Sequence, residues 1–87
     1  MYNDLMISEI KGLKFHYVRR GNDIKGNPKY RIQVFSDSIN VTNLFRGIVG
    51  RYNSKNDYIT VISYNIESVL CYMIESYDSK KSVDLGC

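Results

Sequence analysis

The sequence predicts an α+β fold: a small two-layer domain with a three-stranded antiparallel sheet and helices packed on one face, in the order α-β-β-α-β-α. Three observations favour it. Two alternating runs flank the turn-rich segment "GNDIKGNP", "DYITVISY" is rich in β-branched and aromatic residues, and "NIESVLCYMIESYDS" carries an apolar stripe at helical spacing. A sheet and a helix each need a partner to bury an apolar face, so two packed layers follow.

The first segment, "YNDLMISEIKGL", predicts a short helix. Asn3 or Asp4 would cap its N-terminus, the apolar residues that follow fit helical spacing, and Gly12 would end it.

The segment "KFHYVRRGNDIKGNPKYRI", residues 14–32, predicts a β-hairpin. Apolar and polar residues alternate on both sides of the loop, and this alternation assigns them to opposite faces of a sheet. The core face would carry Leu13, Phe15, Tyr17, Tyr30, Ile32 and Val34. The other face would carry Lys14, His16, Val18, Arg20, Lys29, Arg31, Gln33 and Phe35, with Arg19 and Lys25 adding charge at the loop.

Two further segments complete the predicted order. "SDSINVTNLFRGIVGRY" has apolar residues at i, i+4 spacing and predicts a short, weak helix, because it contains Gly47 and would end at Gly50. The last helix would begin after an Asn65 cap and bury a stripe that includes Leu70 and Met73.

Length and composition indicate one domain. With 87 residues and 44% apolar residues, the chain is expected to form a single domain over residues 1–79, followed by a flexible tail over 80–87. No apolar run is long enough to span a bilayer, and the N-terminus lacks the pattern of a signal peptide. We therefore expect a cytoplasmic protein with no membrane partner; the oligomeric state stays open.

No residue pattern favours catalysis, a cofactor or a metal. His16 is the single histidine, Cys71 falls in the apolar run of the last helix and is expected to be buried, and Cys87 is the final residue. These residues offer neither a nucleophile with a base nor the spacing of a metal site. The sequence therefore predicts a binding protein rather than an enzyme.

The charge is concentrated in one segment. The whole chain carries +3, but residues 11–31 hold seven cationic side chains against Asp23 alone, a net +6. The candidate binding residues on and near the hairpin are Lys14, His16, Arg19, Arg20, Lys25, Lys29, Arg31 and Gln33. This surface would contact a host protein or nucleoprotein complex, contact nucleic acid directly, or be an ordinary solvated sheet face.

A second candidate surface lies in "NLFRGIVGRY". Phe45, Arg46, Arg51 and Tyr52 combine the arginine and aromatic side chains that often anchor interfaces. The alternative is that Phe45 and Tyr52 belong to the core.

Two stretches, "NDLMISEIKGLKF" and "YITVISYNIESVLCYMIESY", resemble the opening and the strand–helix unit of small phage-encoded anti-CRISPR inhibitor proteins. The resemblance covers about a third of the chain. It implies a short helix, a three-stranded antiparallel sheet and packed helices. Those inhibitors are acidic mimics of DNA, whereas residues 11–31 are basic here, so no functional residue carries over.

The resemblance implies a phage or mobile-element protein that inhibits a host nucleic-acid-targeting defence complex by stoichiometric binding. The alternative is a small DNA- or RNA-binding accessory or regulatory protein that uses the basic hairpin directly.

Overall fold

A computed structural model describes residues 5–84, and the side chains of residues 5–79. Within this range six strands precede one α-helix. The strands are β1 (Met6–Ile10), β2 (Leu13–Asn22), β3 (Pro28–Ser36), β4 (Ile39–Asn40), β5 (Arg51–Asn53) and β6 (Tyr58–Ile62). A 3₁₀-helix (Thr42–Phe45) lies between β4 and β5, and the α-helix is α1 (Ile66–Asp84).

The strands form one antiparallel sheet in the order β1-β2-β3-β6-β5. Strand β3 is central: it pairs with β2 on one side, and on the other it pairs with β6 and, near its end, with the short β4. The register places Phe15 opposite Val34, and Tyr17 opposite Ile32. The predicted hairpin is therefore present, and its alternation sets which residues enter the core.

One face of the sheet forms the core. Alternate residues of β2, β3 and β6 are buried there, including Phe15, Ile32, Val34 and Ile59, each fully shielded from solvent. Helix α1 covers this face with Ile66, Leu70, Met73 and Ile74. Burying this continuous apolar surface is the main force that holds sheet and helix together.

Helix α1 begins where the sequence predicts. The backbone N–H of Ser68 donates to Oδ1 of Asn65 at 3.2 Å, which satisfies one of the free donors of the first turn, so the predicted Asn65 cap is present. No helix in the described range is both long and apolar enough to cross a bilayer.

The predicted fold class is wrong. Over residues 5–84 the sheet has six strands rather than three, and one α-helix follows it rather than several helices interspersed in the order α-β-β-α-β-α. The predicted N-terminal helix is strand β1. Lys11 and Gly12 both have positive φ, 50° and 82°, which suits a two-residue hairpin turn and pairs Ile10 with Leu13. Asn3 and Asp4 lie outside the described residues.

The predicted middle helix is also wrong. After a tight turn at Asp37 and Ser38, the segment forms β4, the 3₁₀-helix and then β5. Gly50 has a φ of 56°, and a Cβ there would overlap the Thr60 carbonyl oxygen. The backbone thus approaches β6 too closely for the regular helix that i, i+4 spacing favours.

Cys71 is not a buried thiol, contrary to expectation. It is exposed on the outer side of α1, because the buried stripe runs through neighbouring positions such as Leu70 and Ile74. Cys87 lies outside the described residues.

Candidate functional site

The sheet face opposite α1 is not covered by any described helix or loop. We call it the open face, and strand alternation together with the pairing register defines it. Its members are Ile7, Glu9, Lys14, His16, Val18, Arg20, Lys29, Arg31, Gln33, Phe35, Arg51, Asn53, Tyr58, Thr60 and Ile62. This face combines basic, aromatic and aliphatic side chains on a rigid sheet, which suits the binding of an extended ligand.

Most of the hairpin residues predicted to bind a partner share the open face. They are Lys14, His16, Arg20, Lys29, Arg31 and Gln33. The other two do not. Arg19 lies opposite Tyr30 on the core-face side and donates from Nη2 to Oδ1 of Asn22 at 2.7 Å, and Lys25 lies in the loop between β2 and β3.

The residues of the second candidate surface do not come together. Phe45 is fully buried, with its ring centroid 6.1 Å from that of Phe15 and 5.0 Å from that of Tyr77. Tyr52 is half-buried beside the core, whereas Arg46 is exposed just after the 3₁₀-helix. Only Arg51 belongs to the open face, opposite Thr60.

Two contacts between side chains organise the open face. The ring centroids of His16 and Phe35 are 4.6 Å apart, with the planes tilted by 48°. The guanidinium carbon of Arg31 lies 4.6 Å from the centroid of the Tyr58 ring, a cation–π contact. Both pairs join neighbouring strands, so the sheet holds them in place.

Gln33 lies between the two pairs on β3. Its Nε2 donates to the carbonyl oxygens of Asn56 and Asp57, at 3.4 and 3.3 Å. These bonds connect the middle of the open face to the turn between β5 and β6, and they hold the amide in a defined position.

The cations of the open face lie apart from the described carboxylates. Among the described side chains, no carboxylate oxygen lies within ion-pair distance of Lys14, Arg20, Lys29, Arg31 or Arg51; the ion pair recorded for this part of the chain joins Lys11 to Asp78 at 3.2 Å. Unpaired cations on one surface attract polyanions, and they do so most strongly at low salt.

Two shallow depressions adjoin His16 on the open face. One, of about 270 Å³, is bordered by Val18, Arg20, Arg31 and Tyr58. The other, of about 560 Å³, is bordered by Lys14 and Phe35 but also by the carboxylates Glu9 and Asp37. Positive charge is therefore strongest at the Arg20–Arg31 end of the face.

Hydrogen bonds order the loop at the hairpin tip. Asp23 accepts from the backbone N–H of Asn27 at 2.7 Å and from its side-chain amide at 3.3 Å. The backbone bond is the largest cause of a lowered pKa for Asp23, so the carboxylate remains charged to lower pH and keeps the loop closed.

A hydrogen bond to another aspartate orders the turn between β5 and β6. The hydroxyl of Tyr52 donates to Oδ1 of Asp57 at 2.6 Å, and this bond raises the pKa of Tyr52. The turn carries the backbone carbonyls that hold Gln33, so it supports the open face from one side.

Metal-binding chemistry is not evident in the described range. No three side chains among its His, Cys, Asp and Glu residues approach each other closely enough to share a metal ion. Cys71 and His16 lie on opposite outer sides of the molecule, on α1 and on the open face, so they do not form a catalytic pair.

Sequence reasoning missed Tyr58 and Arg51 as members of the site that includes the basic hairpin. The alternation in "DYITVISY" assigns Tyr58, Thr60 and Ile62 to one face, but only the pairing of β6 with β3 shows which face that is. The signal is present for Tyr58, whereas Arg51 belongs to a strand of three residues, just after the predicted end of the middle helix, that no local pattern indicates.

No protein-family model matches the chain, and neither does any curated protein or solved structure compared with it. The case for a function therefore rests on the chemistry of the open face.

Proposed function

We propose that this protein binds nucleic acid on the open face of its sheet and catalyses no reaction. The observation that carries the proposal is a sheet face that no described element covers, on which cations without a carboxylate partner among the described side chains surround aromatic side chains. The cations match the phosphate charge of a nucleic acid, and the aromatic rings match its bases.

The layout of the face supports this function. Arg20 and Arg31 border the same depression, and Tyr58 and His16 lie beside them. Lys14 and Lys29 lie near opposite ends of the paired strands β2 and β3, and Arg51 lies on the edge strand β5. A backbone that crosses the sheet would thus meet a cation at successive positions.

A salt titration tests the proposal. If about four cations contact phosphates, the logarithm of the association constant for a single strand should fall with the logarithm of salt concentration with a slope of about −3. Affinity should then drop about 50-fold between about 50 and 200 mM salt. Fluorescence anisotropy of a labelled oligonucleotide measures both quantities. Absence of binding at low salt, or binding that salt does not weaken, would contradict the proposal.

A second candidate function is stoichiometric binding to a host protein or nucleoprotein complex. The supporting observation is that Ile7 and Ile62, on the open face near its two edges, leave 58% and 51% of their surface exposed. Exposed aliphatic groups beside cations suit an acidic protein surface. The inhibitor role implied by the resemblance to anti-CRISPR proteins belongs to this candidate and stays a prediction.

Nuclease treatment separates the two functions. A host-extract complex held by a protein contact should survive digestion of nucleic acid and rising salt. A complex held through nucleic acid should be lost in both treatments.

A further inference from the structure

The aromatic contacts on the open face bear on which form of nucleic acid it would take. His16 contacts Phe35, and Arg31 lies over Tyr58. Aromatic rings and guanidinium planes are the groups on which unpaired bases stack. In a duplex the flat faces of the bases are already stacked on one another, so these side chains would have nothing to stack against.

The two contacts are separated on the sheet. Phe35 and Arg31 are four residues apart on β3, about 13 Å at about 3.3 Å per residue. The other two members, His16 and Tyr58, lie beside Gln33 on the strands to either side, about 10 Å apart at about 4.8 Å between strands. Stacked bases follow each other at about 3.4 Å along a strand, so the two positions are about three to four nucleotide steps apart. Gln33, held by the β5–β6 turn, lies between them.

Each contact has a cation nearby. Lys14 borders the same depression as Phe35, and Arg20 borders the same depression as Tyr58. A base stacked at either position would therefore bring its own phosphate close to a positive charge. This pairing of ring and cation is what a sequence-tolerant single-strand site requires.

We infer that the open face selects single-stranded nucleic acid, with bases stacked at two positions, the His16–Phe35 pair and the Arg31–Tyr58 pair. The inference rests on the proposed function, because it presumes that nucleic acid binds this face. To the proposed function it adds that the ligand is single-stranded, and it names the residues that favour a single strand over a duplex. DNA and RNA share the stacking chemistry, and the two are compared in the test.

The test uses the full-length protein and labelled oligothymidylate and oligouridylate of about ten nucleotides, within the usual site sizes of single-strand binders. Phe35→Leu and Tyr58→Leu each remove a ring while keeping an apolar side chain. Each should weaken binding of at least one of the two strands about tenfold, within the range found for loss of one stacked base. Tyr58→Phe restores the ring and should recover most of the affinity that Tyr58→Leu loses, although it removes the hydroxyl that accepts from Nδ2 of Asn53 at 3.4 Å.

Tyr72→Leu is the matched control, because Tyr72 is 54% exposed on the outer side of α1, away from the open face. It should leave affinity unchanged. Circular dichroism establishes that each variant is folded. The salt slope should be the same in the leucine variants as in the wild type, because the phosphate contacts remain.

The remaining outcomes are distinguishable. If a duplex of the same length binds as tightly as the single strands, and the leucine variants bind like the wild type, the stacking inference is overturned while charge-driven binding stands. If no oligonucleotide binds the wild type at low salt, the proposed function fails and the inference fails with it. Preference for oligouridylate or oligothymidylate identifies which nucleic acid the site takes.

Discussion

Reversing the charge of both Arg20 and Arg31 is expected to weaken oligonucleotide binding about 100-fold. Both are exposed, and they border one depression of the open face beside Tyr58. A hydrogen bond to a charged group contributes about 1.5 kcal/mol or more, so the loss of two corresponds to about 3 kcal/mol, or about two factors of ten. The salt slope of the Arg20→Glu, Arg31→Glu variant should also become shallower by about 1.4.

The control for this experiment is a single charge reversal at a residue outside the open face. Arg46→Glu changes the net charge by the same amount as Arg31→Glu, but Arg46 lies after the 3₁₀-helix and outside the open face. Arg31→Glu alone should cost about tenfold in affinity, and Arg46→Glu should cost much less. Equal losses from the two single variants would mean that net charge, and not the open face, determines binding.

Phe45→Ala is expected to lower the free energy of unfolding by about 3–5 kcal/mol. Phe45 is fully buried between the rings of Phe15 and Tyr77, so truncation removes apolar contacts from both the sheet and α1 and leaves a cavity. Since small domains have total stabilities of about 5–15 kcal/mol, this loss is a large part of the whole. Urea denaturation followed by circular dichroism measures it.

The neighbouring substitution Arg46→Ala provides the comparison. Its side chain is exposed, so the change in stability should stay within about 0.5 kcal/mol. If Phe45→Ala kept wild-type stability and lost partner binding instead, Phe45 would be the surface contact that its sequence context suggests, and the described core would be wrong.

Local periodicity predicted the longer elements. The alternation around Tyr17 and Ile32 identified the β2–β3 hairpin and assigned its core and charged faces, and Asn65 marked the start of α1. These signals succeed because each depends on residues that are close together in the chain. The pleat of a strand directs successive side chains to opposite faces, and the N-cap side chain accepts from a backbone N–H three residues later.

The shorter strands could not be predicted in this way. Strand β1 has five residues and β5 has three, too few for period two to be distinguished from helical spacing. Their conformation is set by partners distant in the chain and by positive φ values at turns such as Lys11–Gly12. The same applies to Tyr58, whose place in the site depends on the pairing of β6 with β3.

Chemical-shift mapping tests the central claim most directly. A ¹⁵N-labelled sample would be titrated with the single-stranded oligonucleotide at low salt, and amide and side-chain shifts followed residue by residue. We predict that the largest changes lie on β2, β3 and β6 around His16, Arg31 and Tyr58, and that the outer side of α1 near Tyr72 is unaffected. Changes confined to α1, or no changes at all, would contradict it.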